Sequence, residues 1–182
     1  MDNNPEKQYD HLVTELNNVL TEKGFAQVDT RLKRTTQSLP GHFVVISSPI
    51  LLEWLGKQTL LPKYEKDSKR MYSSFRETIR EAKVDPNSRR MMVFNDSKYL
   101  STFQCFTHFQ FVYTHRNEFD MYVYQRSADL VKLKDDLSFF AHQMKKFERG
   151  TGYYVTKLVV VYGHLHIEIK KHEKNKDSKY MD

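Results

Sequence analysis

The chain contains a single cysteine, Cys105, among its 182 residues. One thiol cannot close a disulfide within the chain, so crosslinks contribute nothing to the fold. No apolar run approaches the roughly 18 residues needed to cross a bilayer, and no N-terminal apolar stretch resembles a signal peptide. A reducing, cytoplasmic setting without membrane contact is therefore expected. Internal repeats and low-complexity linkers are absent. So are a zinc-binding spacing, a recognition-helix pattern and a glycine-rich phosphate loop, which weakens a nucleic-acid reading despite the charge discussed next.

A chain of this length suits one domain with its own core. Its formal net charge is +6 and its pI about 9.2, which favours anionic partners such as phosphorylated metabolites or nucleic acid. The distribution says more than the sum. Much of the excess lies in "KKHEKNKDSK" near the C-terminus, so residues 171–182 are expected to be a basic, disordered tail behind a domain spanning 1–170. The other arginines gather in "DTRLKR", "PNSRR" and "YQRS". Aromatic residues are plentiful but alternate as strand cores do, and nucleic acid is not expected as a partner.

Periodicity supplies the elements. Tyr9, Leu12, Val13, Leu16, Val19 and Leu20 share a helical face that Gly24 ends. "HFVVISS" reads as a strand, and "PILLEWLGKQ" as a short buried helix from Pro49 to Gly56. Residues 68–83 carry Met71, Tyr72, Phe75, Ile79 and Ala82 at helical spacing until "DPNS" stops them, and "RRMMVF" follows as a strand. "FQCFTHFQFVYTHRNEFDMYVYQRSAD", residues 103–129, alternates with period two on both sides of "THRNE" and predicts an antiparallel pair. Its ends return to each other, so Cys105 can lie near Arg126 and Ser127. A free cysteine is more commonly a small buried hydrophobe, and that alternative stands beside the first. Asp135 or Asp136 can cap a helix whose inner face holds Leu137, Phe140, Ala141, Met144 and Phe147, and "YVTKLVVVYGHLHIEI" closes the chain as a strand. The sum is a single α/β (α+β) domain with a mixed sheet and flanking helices.

Four segments in fixed order, "KVDPNSRRMMVFN", "CFTHFQF", "YQRSAD" and "VVVYGHLHI", resemble the thymidylate synthase superfamily, which includes the nucleotide hydroxymethylases. "DTRLKRTTQSLPGH" and "PILLEWLGKQT" are similar to two further family segments. The resemblance implies a thymidylate-synthase-like mixed sheet and a transferase of nucleotide biosynthesis. It makes Cys105 the nucleophile that adds to C6 of a pyrimidine nucleotide, with C5 then attacking a one-carbon unit carried by 5,10-methylenetetrahydrofolate. Asp129 joins Cys105 as a catalytic candidate. Arg31, Arg89, Arg90, Arg126 and Ser127 match phosphate ligands, with Arg89 and Arg90 reaching across a twofold interface, so a homodimer with shared sites is implied. Asp136, His166, Gln125 and Tyr64 form the base and ribose set, and no metal is implied.

Two positions bear on the substrate. Asp136 falls where the family's uracil-reading Asn stands, and an Asp is better suited to accept from a cytosine amino group; a plain helix cap is its other reading. The expected activity is thus a (d)CMP hydroxymethylase, the alternative being a catalytically inactive nucleotide-binding relative. His164 and His166 compete for the family's histidine; one alone is expected to face the site, and counting from "VVV" and Gly163 favours His166. The departures concern the folate side. Ile50 stands at the family's catalytic Glu with Glu53 a turn later, Phe106 follows the nucleophile in place of His, "LVKLKDD" lacks the folate-contacting Gly, and the chain ends soon after "HLHIEI". On this reading the nucleotide half of the site is kept and the folate half is thinned.

Overall fold

The first helical stripe is realised as α1, Pro5–Lys23, whose start is held by Asn4: its Oδ1 accepts from the backbone N–H of Glu6 at 2.9 Å and of Lys7 at 3.4 Å. Gly24 ends it, donating its N–H to the Leu20 carbonyl. The structure, a computed structural model, describes residues 3–29, 34–94 and 106–169. Arg31, Cys105 and the basic stretch 171–182 therefore lie outside the described residues.

After α1 come β1 (Phe25–Asp29), β2 (Arg34–Ile46), α2 (Pro49–Leu55), α3 (Pro62–Arg70), α4 (Tyr72–Val84), β3 (Met92–Phe94), β4 (Phe106–His115), β5 (Glu118–Asp129), a 3-10 turn at Leu130–Lys132, α5 (Leu133–Thr151) and β6 (Tyr154–Ile169). The strands form one six-stranded sheet in the order β1-β2-β6-β5-β4-β3. Only β5 and β6 run parallel, because the long α5 carries the chain back to the starting edge between them. The other neighbours are antiparallel. Arg116 and Asn117 both take positive φ, 49° and 68°, which a two-residue hairpin between β4 and β5 requires. This is the mixed α/β domain that the periodicity and the resemblance led us to expect.

The core lies between α5 and one side of the sheet. Val44, Ile46, Phe109, Phe111, Met121, Val123, Leu158, Val160 and Tyr162 are buried on that side, and Phe147 of α5 stacks on Phe111 with centroids 3.9 Å apart. On the opposite side Phe43, Val45, Val112, Tyr122, Tyr124 and Val161 are exposed. The alternation is clean because each strand places successive residues on opposite faces.

Two expectations need correction. The stripe over 68–83 is not one helix: Met71, in αR geometry at φ −81° and ψ −6°, joins α3 to α4, and both helices turn from it. Of α3 only Tyr64 is buried, so no apolar period announces that helix. Nor does Asp135 or Asp136 cap α5. The capping carboxylate is Asp129, whose Oδ1 accepts from the Val131 N–H at 3.1 Å at the entry to the 3-10 turn, while Asp135 and Asp136 sit in the first turn, where acids suit the helix dipole. Among the described residues no helix is long and apolar enough to cross a membrane, and no group of His, Cys, Asp or Glu could hold a metal ion.

Candidate functional site

Asp136 organises one end of the candidate site. Pro62 opens α3 so that Tyr64 faces α5, where its ring stacks on Phe139 at 4.9 Å and 22°. From there the Tyr64 hydroxyl donates to Asp136 Oδ1. On the other side Gln125 of β5 donates through Nε2 to Asp136 Oδ2 at 2.7 Å and to the Ser127 carbonyl at 3.2 Å. Gln125 is only 2% exposed and Tyr64 only 6%, whereas Asp136 is part-exposed. Each carboxyl oxygen thus carries one donor from the protein and keeps a lone pair for something else.

Burial pushes the Asp136 carboxyl above its ordinary value, against the opposing pull of the Tyr64 and Gln125 hydrogen bonds and of Lys63. Lys63 lies over the Tyr64 ring, its Nζ 4.3 Å from the centroid. Burial first, and the nearby Asp136 charge second, raise the Tyr64 phenol, so Tyr64 keeps its proton and donates it. Tyr162, paired with Gln125 in the β5–β6 register, is raised by burial as well. Its hydroxyl and the Gln125 Oε1 are both sealed from solvent without a hydrogen-bond partner among the described residues. On α1, Tyr9 is pushed up to about 12 by burial and then by Asp135.

The other end follows the strands outward. Ser127 pairs with His164 and Asp129 with His166 in the parallel ladder, and Ser127 Oγ lies 3.3 Å from His166 Nδ1. The expectation that only one histidine can face the site fails, because His164 and His166 are two residues apart on a continuously paired strand and leave it on the same side. The His164 Nδ1 is buried and has no hydrogen-bond partner among the described residues. Asp129 spends one carboxylate oxygen on the Val131 N–H.

The three arginines of the candidate phosphate set that are described, Arg89, Arg90 and Arg126, are exposed, and none of them forms an ion pair with a described residue. Arg126 leaves β5 on the side opposite Gln125 and Ser127, by alternation, towards the exposed sheet face. Arg89 and Arg90 ride on the "DPNS" turn, which is tied down locally: Asp85 accepts from the Asn87 N–H, Ser88 donates to Glu81 at 2.6 Å and accepts from the Arg90 N–H, and Gln110 of β4 donates to the Arg89 carbonyl. The backbone of Phe106, the first described residue after Cys105, pairs with Gln125.

At the positions that the resemblance assigns to the folate side, the described residues offer few polar groups to a ligand. Ile50 is 41% exposed on α2, and Glu53 is turned to solvent in an ion pair with Lys57 at 2.6 Å. After Asp129 the 3-10 turn presents an exposed Val131. Sequence reasoning missed Tyr162 and Lys63 beside Asp136. Tyr162 had a signal, since it shares strand parity with His164 and His166; Lys63 had none.

A sequence model of the thymidylate synthase family matches residues 52–178, well over half of the chain. The match runs on into the stretch read above as a tail. No curated protein matches the chain.

Proposed function

Because this chain belongs to the thymidylate synthase family, we propose that it is a transferase acting at C5 of a cytidine monophosphate, most simply a (d)CMP hydroxymethylase. Family membership supports pyrimidine C5 chemistry in general, with methylenetetrahydrofolate as the one-carbon donor that the family uses. The observation that carries the finer reading is Asp136, a half-buried residue whose carboxyl is fastened by Tyr64 and Gln125 and has acceptor capacity left over. An ionised carboxyl complements the exocyclic amino group of cytosine and opposes the O4 of uracil.

In this reading the Cys105 thiolate adds to C6, an S–C bond forms, and the C5–C6 electron pair moves to C5. C5 then takes a proton or a carbon electrophile. Loss of the original C5 proton and departure of the thiolate restore the ring. Ser127 and Arg31 hold the phosphate, joined by Arg89 and Arg90 of a second copy; the resemblance assigns Arg126 to it as well, although Arg126 leaves β5 on the face opposite Ser127. A homodimer is supported by the exposed Phe43, Val45, Tyr122, Tyr124 and Val161, an apolar sheet face that a second copy can cover, with Arg126 rising beside it. His166 reaches the site through Ser127, and Asp129 fixes the turn from β5 into α5. The described residues do not fit a folate, given Ile50, the solvent-facing Glu53 and Val131. Proton exchange at C5 needs none. The domain is taken as residues 1–170 and the setting as cytoplasmic.

Calorimetric titration at neutral pH tests the base assignment. dCMP is expected to bind more tightly than dUMP, and Asp136→Asn to reverse that order; equal preference in both proteins would refute it. A second reading, a nucleotide-binding protein without catalysis, is favoured by Glu53 lying in solvent. It predicts the same binding with no exchange at C5.

A further inference from the structure

We propose that the groove between α3, the start of α4 and α5 is a second ligand site, which holds the negative head of a small organic anion on Lys146 and Ser68 and its apolar body on Leu60 and Tyr72. It is independent of the nucleotide reading. Lys146 lies about 15 Å further along α5 than Asp136, so a ligand here is separate from the candidate nucleotide site. The groove has a volume of about 460 Å³ and is lined by Leu60, Glu65, Ser68, Lys69, Tyr72 and Lys146.

Lys146 is the observation that carries the site. The residue is half-buried, with Nζ 4.5 Å from the Phe75 ring centroid and 5.8 Å from that of Tyr72, and it forms no ion pair or hydrogen bond with a described residue. The nearby Glu148 carboxylate is already engaged: one oxygen accepts from Lys145 Nζ at 2.9 Å and the other from the Val155 N–H at 3.0 Å. Burial first, and the Arg149 charge second, hold the Lys146 ammonium below its ordinary value. A desolvated cation costs free energy unless it is paired, and the two aromatic faces offset only part of that cost. An anion would complete it.

Ser68 supplies the second donor. Its Oγ accepts from Gln143 Nε2 at 3.2 Å, which leaves its own proton to be given elsewhere. Gln143 is 2% exposed, and its Oε1 is sealed without a hydrogen-bond partner among the described residues, so Ser68 is the partner that holds this amide. At the rim the lining carries two cations, Lys69 and Lys146, against one acid, Glu65.

The walls decide the rest of the ligand. Tyr72 is 59% exposed and Leu60 half-buried, so an inorganic ion would leave apolar surface in water, whereas a neutral apolar molecule would leave the ammonium unpaired. A small anion with an apolar body satisfies both. Carboxylates and phosphate monoesters share that chemistry.

The experiment titrates the full chain, isotope-labelled in its lysine, leucine and tyrosine side chains, with benzoate, phenyl phosphate, inorganic phosphate and benzyl alcohol, and follows the magnetic-resonance signals of Leu60, Tyr72 and Lys146. At least one of the two aromatic anions should move all three saturably, and the tighter one identifies the head. Inorganic phosphate and benzyl alcohol should each bind at least about tenfold more weakly, since each lacks one half of the contact. Lys146→Met keeps an apolar stem on Phe75 and should weaken the better probe by about tenfold or more. In the wild type the bound anion should also raise the pH at which Lys146 titrates, a readout that needs no variant. The proposal is overturned if neither aromatic anion gives a saturable shift, or if benzyl alcohol or inorganic phosphate binds as tightly as they do. It is overturned too if the probes move Tyr64 and leave Tyr72 unmoved, which would put them in the candidate nucleotide site instead.

Discussion

The end of the candidate site proposed to read the base and the end proposed to hold the phosphate are made in opposite ways. At the base end, side chains from α3, β5 and α5 converge on one carboxyl, two of them sealed and each bonded within the monomer. At the phosphate end, Arg89, Arg90 and Arg126 stand in solvent without an acidic partner among the described residues, on a turn and an outward-facing strand position. On the proposed reading, the geometry that discriminates between two bases is fixed during folding, and the charge that captures an anion is left unneutralised until the anion arrives. Substitutions at the first end should therefore cost stability, and at the second end binding alone.

The largest effect should come from removing the ligand's phosphate. Charge-assisted hydrogen bonds contribute about 1.5 to 3 kcal/mol each, so two of them make cytidine bind at least about 100-fold more weakly than CMP in a calorimeter. Comparable affinities would abolish the contrast between the ends. Next is the sharing of arginines. An equal mixture of Arg89→Ala/Arg90→Ala chains with Arg126→Ala chains should recover about a quarter of the wild-type nucleotide sites, since half the dimers are mixed and each mixed dimer has one intact site. Recovery of none argues for sites built within one chain.

Gln125→Ala should lower stability by about 1 to 3 kcal/mol in urea unfolding, because it leaves a void and withdraws a donor from a desolvated carboxyl. A smaller contribution concerns pH. The folded Asp136 has a raised pKa, so between the ordinary value of 3.8 and that raised value the folded state holds more protons than the unfolded chain. Stability then falls as pH rises through this window and is level above it, and Asp136→Asn should lack that fall in melts taken at successive pH values. The smallest effect sharpens the comparison most: Arg126→Ala and Arg89→Ala, whose side chains are exposed and without an ion-pair partner among the described residues, should change stability by no more than about 0.5 kcal/mol. A larger loss would mean that the arginines belong to the scaffold.

Local signals carried the reading of the sequence as far as local physics extends. β6 runs over Tyr154–Ile169, the bounds its alternation marked, and α2 starts at Pro49 and stops before Gly56 as proline and glycine preferences require. The break at Met71 was not legible, since its backbone stays in helical geometry and the apolar residues continue across it. Neither was the contact between Tyr64 and Asp136, 72 residues apart, which arises only when α3 packs on α5. Asp129 as the cap escaped notice because the chain enters α5 through a 3-10 turn three residues long, displacing the capping position from Asp135 and Asp136. The family resemblance put Gln125, Ser127, Asp136 and His166 in one set, and the fold brings them together in two pairs: Gln125 donates through its amide to Asp136, and Ser127 meets His166 further along β5.

The most direct test of the chemistry follows the C5 proton. dCMP incubated in deuterated buffer near neutral pH with the full chain, without folate, should lose its H5 resonance in the proton spectrum, and with Cys105→Ser it should keep it. Persistence of H5 with the wild-type protein, for dCMP, CMP and dUMP alike, would contradict the transferase reading and leave a protein that binds the nucleotide and does no more.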